Sequence, residues 1–354
     1  MPTHLAIQAE GLQKSYRGTP ALAGLDLAVP YGTIHGLLGP NGAGKTTAVR
    51  ILATLLRFDA GRAEVAGYDV AREPRWVRHR IGLTGQQTAV DDNLSARQNL
   101  VLFGRLFHIG KDAARRRADE LLDQFRLTEV ADRAPKTFSG GMRRRLDLAA
   151  SMILAPEVLF LDEPTTGLDP AGRREVWQAI RDLTAAGTTV LLTTHYLDEA
   201  DQLCDRISVI DQGRNLVDDT PAGLKRRIGN ERLEAVASQP ADLPALAALV
   251  ATVASNGAEP AVDQERLSVT VAVTDGVRAL TEIAARLREQ GLALADLGLR
   301  RPTLDEAFLT LTGKPAAEPA GPAAPATDIK QSEPTGSREP TGQSEPTKQT
   351  EEYA

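Results

Sequence analysis

Eight consecutive residues constrain this chain more than any others: Gly39-Pro40-Asn41-Gly42-Ala43-Gly44-Lys45-Thr46, continued by Thr47. They fit the pattern G-x-x-x-x-G-K-[ST] and come directly after the apolar run Thr33-Ile34-His35-Gly36-Leu37-Leu38. Beyond them Val49, Leu52 and Leu56 recur at helical spacing. A buried strand therefore runs into a glycine-rich turn that opens a helix. Glycines let backbone N–H groups turn inward around a phosphate, and the helix N-terminus adds partial positive charge. Lys45 can reach terminal phosphates, and Thr46 offers its hydroxyl to Mg²⁺. Chance would produce such a pattern in a chain of this length on the order of once in a hundred, before the flanking strand and helix are required.

The rest of the first 224 residues supports an α/β fold, because short apolar runs alternate with helical patterns. Val158-Leu159-Phe160-Leu161 and Thr189-Val190-Leu191-Leu192 join residues 33–38 as expected buried parallel strands. Residues 225–313 change character and predict a small α+β domain. Its expected elements are a helix at Leu243 to Val253, a strand at Leu267 to Val273, and helices at Val277 to Gln290 and Leu304 to Leu311. Residues 314–354 repeat Glu-Pro-Thr at 333–335, 339–341 and 345–347 with almost no large apolar side chains. Such a tail cannot bury enough surface to offset its ordering entropy and is expected to be disordered.

Two further segments carry chemistry. The run ending at Leu161 is followed by Asp162-Glu163, which puts two carboxylates at the carboxyl edge of a buried strand, where open parallel sheets bind ligands. Asp162 is expected to help hold Mg²⁺ and Glu163 to polarise an attacking water. Ser139-Gly140-Gly141-Met142 opens a helix that continues through Arg143-Arg144-Arg145-Leu146-Asp147. A serine cap and two glycines make its N-terminus a second anion site, while Arg144 and part of the arginine cluster read as a solvated face.

The serine-glycine stretch resembles the signature motif of ABC ATPases, about 20 residues before the Asp-Glu pair. The resemblance covers roughly residues 5–225 and implies an ABC-type nucleotide-binding domain of the P-loop class with a helical subdomain. It also implies roles. Tyr16 in Lys14-Ser15-Tyr16 matches the aromatic residue that stacks on adenine. Gln86 in Gly82-Leu83-Thr84-Gly85-Gln86 matches the glutamine that approaches Mg²⁺ and water and links the site to a membrane subunit, with Gln87 as the rival position. Asp169 in Gly167-Leu168-Asp169-Pro170 matches the D-loop aspartate, and His195 the switch histidine that contacts the γ-phosphate. Residues 138–145, 162–170 and 301–313 look like the daunorubicin-resistance branch of drug exporters, where Met142 in place of glutamine is usual.

That resemblance implies ATP as substrate with Mg²⁺, and a homodimer in which each nucleotide is held between the loop of one protomer and the signature of the other. It further implies a permease subunit on a separate chain and a place on the cytoplasmic face of the membrane. Lipid or polyketide cargo is also compatible with it. Composition agrees with these expectations: no stretch reaches the roughly 18 apolar residues of a membrane span, and the single cysteine, Cys204, reads as buried filler. A net charge of −6 gives no global attraction for nucleic acid, so no nucleic-acid partner is expected. The rival class, an ABC ATPase acting on nucleic acid, would want a long coiled coil, a second cassette or a zinc-type cysteine cluster, and none is visible.

Overall fold

The computed structural model describes residues 5–85, 88–228, 231–300 and 303–313. The chain opens with a long hairpin, β1 (Leu5–Tyr16) and β2 (Thr19–Pro30), then runs through β3 (Ile34–Leu38), α1 (Lys45–Leu52), β4 (Ala60–Val65), β5 (Tyr68–Asp69), α2 (Pro74–Arg80) and β6 (Ile81–Thr84). Three helices follow: α3 (Ala96–Leu106), α4 (Lys111–Gln124) and α5 (Gly140–Ser151). The alternation then resumes with β7 (Val158–Asp162), α6 (Pro170–Ala185), β8 (Thr189–Thr194), α7 (Leu197–Leu203), β9 (Arg206–Asp211), β10 (Arg214–Asp219) and α8 (Pro221–Ile228). The last elements are β11 (Arg232–Ala237), α9 (Leu243–Ala251), β12 (Ala261–Asp263), β13 (Ser268–Ala272), α10 (Gly276–Gln290), β14 (Leu294–Arg300) and α11 (Leu304–Thr312).

Among the described residues the strands form three sheets. The central one has the order β10-β9-β3-β8-β7-β6, parallel except for β10. Its inner strands read as near-continuous apolar runs because both faces are covered. Val158 and Phe160 of β7 point into one core with α1, β1, β2 and β4, while Leu159 and Leu161 point into the other with α3 to α7. The expected parallel strands are therefore present, and they carry the phosphate loop, the Asp-Glu pair and His195 to one sheet edge. Alongside lies an antiparallel sheet, β2-β1-β4-β5.

Residues 232–300 build a third sheet of order β12-β13-β11-β14, antiparallel throughout, with α9 and α10 supplying its core. The succession β-α-β-β-α-β is a split β-α-β arrangement. Asp275 caps α10 through a hydrogen bond from Arg278 N, and Gly291 ends the helix at φ 69°, a left-handed stop that suits glycine. The helix α11 has a reciprocal cap between Thr303 and Glu306. Its apolar face, Leu304, Ala307 and Phe308, is buried in the core that also holds α7 and α8 residues. No helix among the described residues is long and apolar enough to cross a membrane. The expectations for Gln86, Gln87, residues 301–302 and the tail fall outside the described residues.

Candidate nucleotide site

The strand β3 is buried along its whole length, lies between β8 and β9 in the sheet, and delivers the chain directly into the glycine-rich loop. Glycine is required at two loop positions. A Cβ on Gly39 would fall 2.3 Å from the Ile210 carbonyl oxygen, and Gly44 sits at φ 106° with Ala21 O 2.5 Å from where its Cβ would be. Gly44 is the N-cap of α1 and provides no side-chain cap, so the first turn keeps donors for another acceptor. Lys45 folds back inside the loop, its Nζ donating to Gly39 O at 2.7 Å and Pro40 O at 3.2 Å. Burial lowers the Lys45 ammonium from its ordinary value, and the carboxylates of Glu163 and Asp162 pull in the opposite direction. The loop opens onto a cleft of about 300 Å³ walled by Asn41 to Thr47, Ala21 and Glu163. An ammonium, an uncapped helix start and inward-turned glycines fit a polyphosphate.

Across the loop, β7 ends in Asp162, 6% exposed. Thr46 Oγ1 donates to Asp162 Oδ1 at 3.3 Å, and Thr193 Oγ1 donates to the same oxygen at 2.6 Å. A hydroxyl and a carboxylate beside a phosphate cradle are hard oxygen donors, which fits Mg²⁺ held jointly with substrate phosphates. Glu163 adopts φ 51°, the left-handed region that a non-glycine residue rarely occupies. Its N–H is shared between Thr193 O and Thr193 Oγ1, both at 3.1 Å. His195 Nδ1 lies 3.2 Å from Glu163 Oε1, an ion-pair distance without the angle of a hydrogen bond. The imidazole packs against Tyr196, which in turn has the Arg173 guanidinium 4.6 Å above its ring.

The serine-glycine stretch forms a capped helix start. Ser139 Oγ caps α5 by accepting from Met142 N at 3.2 Å. Ser139 and Gly140 are exposed, whereas Gly141 is buried against Gly172 of α6. Asp169 caps α6, its Oδ1 accepting from Gly172 N at 2.9 Å. Tyr16 stands at the end of β1, 45% exposed. Neither Tyr16, Ser139, Gly140, Gly141 nor Asp169 contributes to the wall of the phosphate cleft. The loop, Asp162, Glu163 and His195 are brought together within one chain by the Thr46–Asp162 bond, the place of Glu163 in the cleft wall and the Glu163–His195 approach.

One expectation is overturned. Arg144 does not belong to a solvated face: it is 6% exposed, and its guanidinium donates to Pro164 O and Gly85 O, each at 2.8 Å. It also reaches Asp162 O at 3.4 Å and pairs with buried Asp147 at 3.3 Å. Asp147 Oδ1 in turn accepts from Ala89 N at 2.8 Å. Four carbonyl and carboxylate partners supply the hydration that burial removes, which is why a charge at this position turns inward. Sequence reasoning also passed over Glu199. This α7 carboxyl is 1% exposed and accepts from Thr165 Oγ1 at 2.8 Å and Trp177 Nε1 at 3.0 Å, behind the turn that carries Glu163. Burial raises its pKa, and hydrogen bonds from Thr194, Thr165 and Trp177 work against that rise.

The ABC transporter family matches residues 22–166. A daunorubicin resistance ATP-binding protein of Streptomyces coeruleorubidus is 62% identical over 308 residues, covering 87% of this chain and 95% of the relative. A daunorubicin/doxorubicin resistance ATP-binding protein of Streptomyces peucetius is 49% identical over 315 residues, covering 88% and 93%. Among solved structures, the ATP binding subunit of an ABC transporter superposes with a TM-score of 0.56 at 26% identity, over 63% of this chain and 93% of that one. The chain therefore belongs to the ABC transporter family, as a nucleotide-binding ATPase subunit of the daunorubicin-resistance type.

Proposed function

We propose that two copies of this chain close around two ATP molecules and so drive export of hydrophobic drugs or antibiotics through a separate integral membrane subunit. The observation that carries this reading is the division of the motifs. One phosphate cleft and one exposed serine-glycine helix tip occur on the same chain, and the tip takes no part in the cleft. A second copy supplies the missing half if Ser139, Gly140 and Gly141 meet the partner's γ-phosphate, with Asp169 at the seam and Tyr16 against adenine.

Within that assembly the loop from Gly39 to Thr47 binds the phosphates and Lys45 neutralises them. Glu163 accepts the proton of the attacking water, and His195 steadies the Glu163 carboxylate and senses the terminal phosphate; the 3.2 Å approach of their side chains supports this. Thr46, Asp162 and Gln86 would hold Mg²⁺, which would supply positive charge to offset that of the phosphates. An apolar groove of about 240 Å³, walled in part by Leu55, Leu83, Ala89, Phe103 and Phe107, contains both flanks of the Gln86 segment. We assign it to the membrane subunit, which would hold the dimer at the cytoplasmic face. Residues 1–224 serve as the ATPase domain and 225–313 as an accessory domain whose last helix, α11, packs back into the ATPase core.

The test is transport into inverted vesicles containing this chain and its membrane subunit. Anthracycline accumulation that requires ATP and is lost in Lys45→Ala is the expected result. ATP-driven movement of a lipid or of a non-anthracycline polyketide in place of the drug would reassign the cargo, and ATP hydrolysis that moves nothing would end the export reading.

A further inference from the structure

Thr193 occupies a position where an aliphatic side chain is the simpler choice. It is fully buried on β8, with Leu191 before it on the same face of the strand. A buried hydroxyl is costly unless its hydrogen bonds are made. Here they are made to the two residues at the end of β7. The hydroxyl donates to Asp162 Oδ1 at 2.6 Å and accepts from Glu163 N at 3.1 Å. Because its one hydrogen is given to Asp162, that carboxyl oxygen acts as an acceptor, and it takes a second bond from Thr46 Oγ1 at 3.3 Å. Asp162 is thereby clamped from β8 on one side and from the phosphate loop on the other. The Glu163 N–H is held at a residue whose φ is 51°. Any residue at position 193 can offer its carbonyl to that N–H, and Thr193 does so at 3.1 Å, but only a hydroxyl can join the two carboxylate residues through one atom.

We infer that Thr193 is a positioning residue for ATP hydrolysis, setting the orientation of the Asp162 carboxylate toward Mg²⁺ and fixing the left-handed turn that aims Glu163 at the phosphate cleft. This rests on the reading of Asp162 and Glu163 given above. Two residues beyond Thr193, just past the end of β8, the chain reaches His195, so one strand end leads to both the switch histidine and the support for the base it approaches.

The experiment uses the full-length chain and three variants, Thr193→Val, Thr193→Ser and Asp162→Ala. ATP affinity is measured by equilibrium binding in EDTA and in Mg²⁺, alongside kcat, KM and the Mg²⁺ concentration giving half-maximal hydrolysis. Partners that orient a metal-facing carboxylate typically change metal affinity or activity by about 10–100-fold when removed. Thr193→Val is therefore expected to bind ATP in EDTA as the parent does, to lose about tenfold or more of the affinity that Mg²⁺ adds, and to lose kcat by a similar factor. Thr193→Ser should recover most of both. Wild-type Mg²⁺ dependence and kcat in Thr193→Val would overturn the inference. So would an equal loss of binding with and without Mg²⁺ that serine does not rescue, since that is what a packing defect gives. If Asp162→Ala retains the full Mg²⁺ effect, the underlying assignment of Asp162 fails and the inference falls with it. If Asp162→Ala loses that effect and Thr193→Val keeps it, the inference about Thr193 alone fails.

Discussion

Arg144 of the signature helix and Pro164, two residues beyond Asp162, are joined by a 2.8 Å hydrogen bond from the guanidinium Nε–H to the prolyl carbonyl. That bond ties the helix whose tip bears Ser139 to the turn that bears Glu163, the bond to Gly85 O ties the helix to the end of β6, and within the helix Arg144 pairs with Asp147. Removing one member of a buried ion pair leaves the other without its counter-charge, which typically costs about 3–5 kcal/mol. Arg144→Ala should therefore lower the free energy of unfolding by about 3 kcal/mol, read from denaturant titration. The double change Arg144→Met, Asp147→Leu should cost less than the single one, because no unpaired charge remains.

Glu199 gives the protein a pH dependence of known sign. Its carboxyl is raised above the usual value of 4.5 by burial, so between that value and its folded-state pKa the folded chain holds a proton that the unfolded chain has released. Stability from this group falls as pH rises through that window. Glu199→Gln removes the titration, so its stability relative to the parent should improve as pH is raised from 4.5. A parallel pair of stability curves would contradict the assignment.

The two glycines with positive φ in the phosphate loop are not equivalent. Gly42, at φ 83°, has open space where a Cβ would go, while Gly44, at φ 106°, has Ala21 O at 2.5 Å. Gly42→Ala should meet only the backbone strain of about 1–2 kcal/mol and retain measurable ATP binding. Gly44→Ala should lose binding outright, as equilibrium nucleotide titration of the two variants will show.

The final described helix, α11, is part of the ATPase core. Phe308 is 2% exposed among residues that include Leu197, Leu203 and Leu224. Phe308→Ala should cost about 3–5 kcal/mol through lost burial and the cavity left behind. If stability is unchanged, α11 is a detachable appendage.

What the residues disclosed in advance was local chemistry. The strand-loop-helix unit at residues 34–52, the carboxyl end of β7 and the cap of α5 each depend on neighbours within a few positions, and each stands where its spacing implies. Arg144 shows the limit. Gly141, Arg144 and Leu148 recur at the three- and four-residue spacing of a buried stripe, but the charge argued for solvent, and only the distant carbonyls of Gly85 and Pro164 reverse that argument. Thr193 and Glu199 were passed over for the same reason, since their partners come from other strands and helices. In the C-terminal sheet, β12 is three exposed residues and β14 carries Asp296 and Gly298, so neither shows an apolar period strong enough to announce a strand.

The claim that two copies of this chain clasp ATP between them is tested most directly by the mass of the Glu163→Gln protein in solution with ATP and Mg²⁺. Without the proposed base, hydrolysis should fall by orders of magnitude while binding persists. The account predicts a dimer holding two nucleotides, which reverts to monomer when Ser139 is also replaced by arginine to block the helix tip. A protein that binds ATP at saturation and remains a monomer, with Ser139 intact, would contradict it.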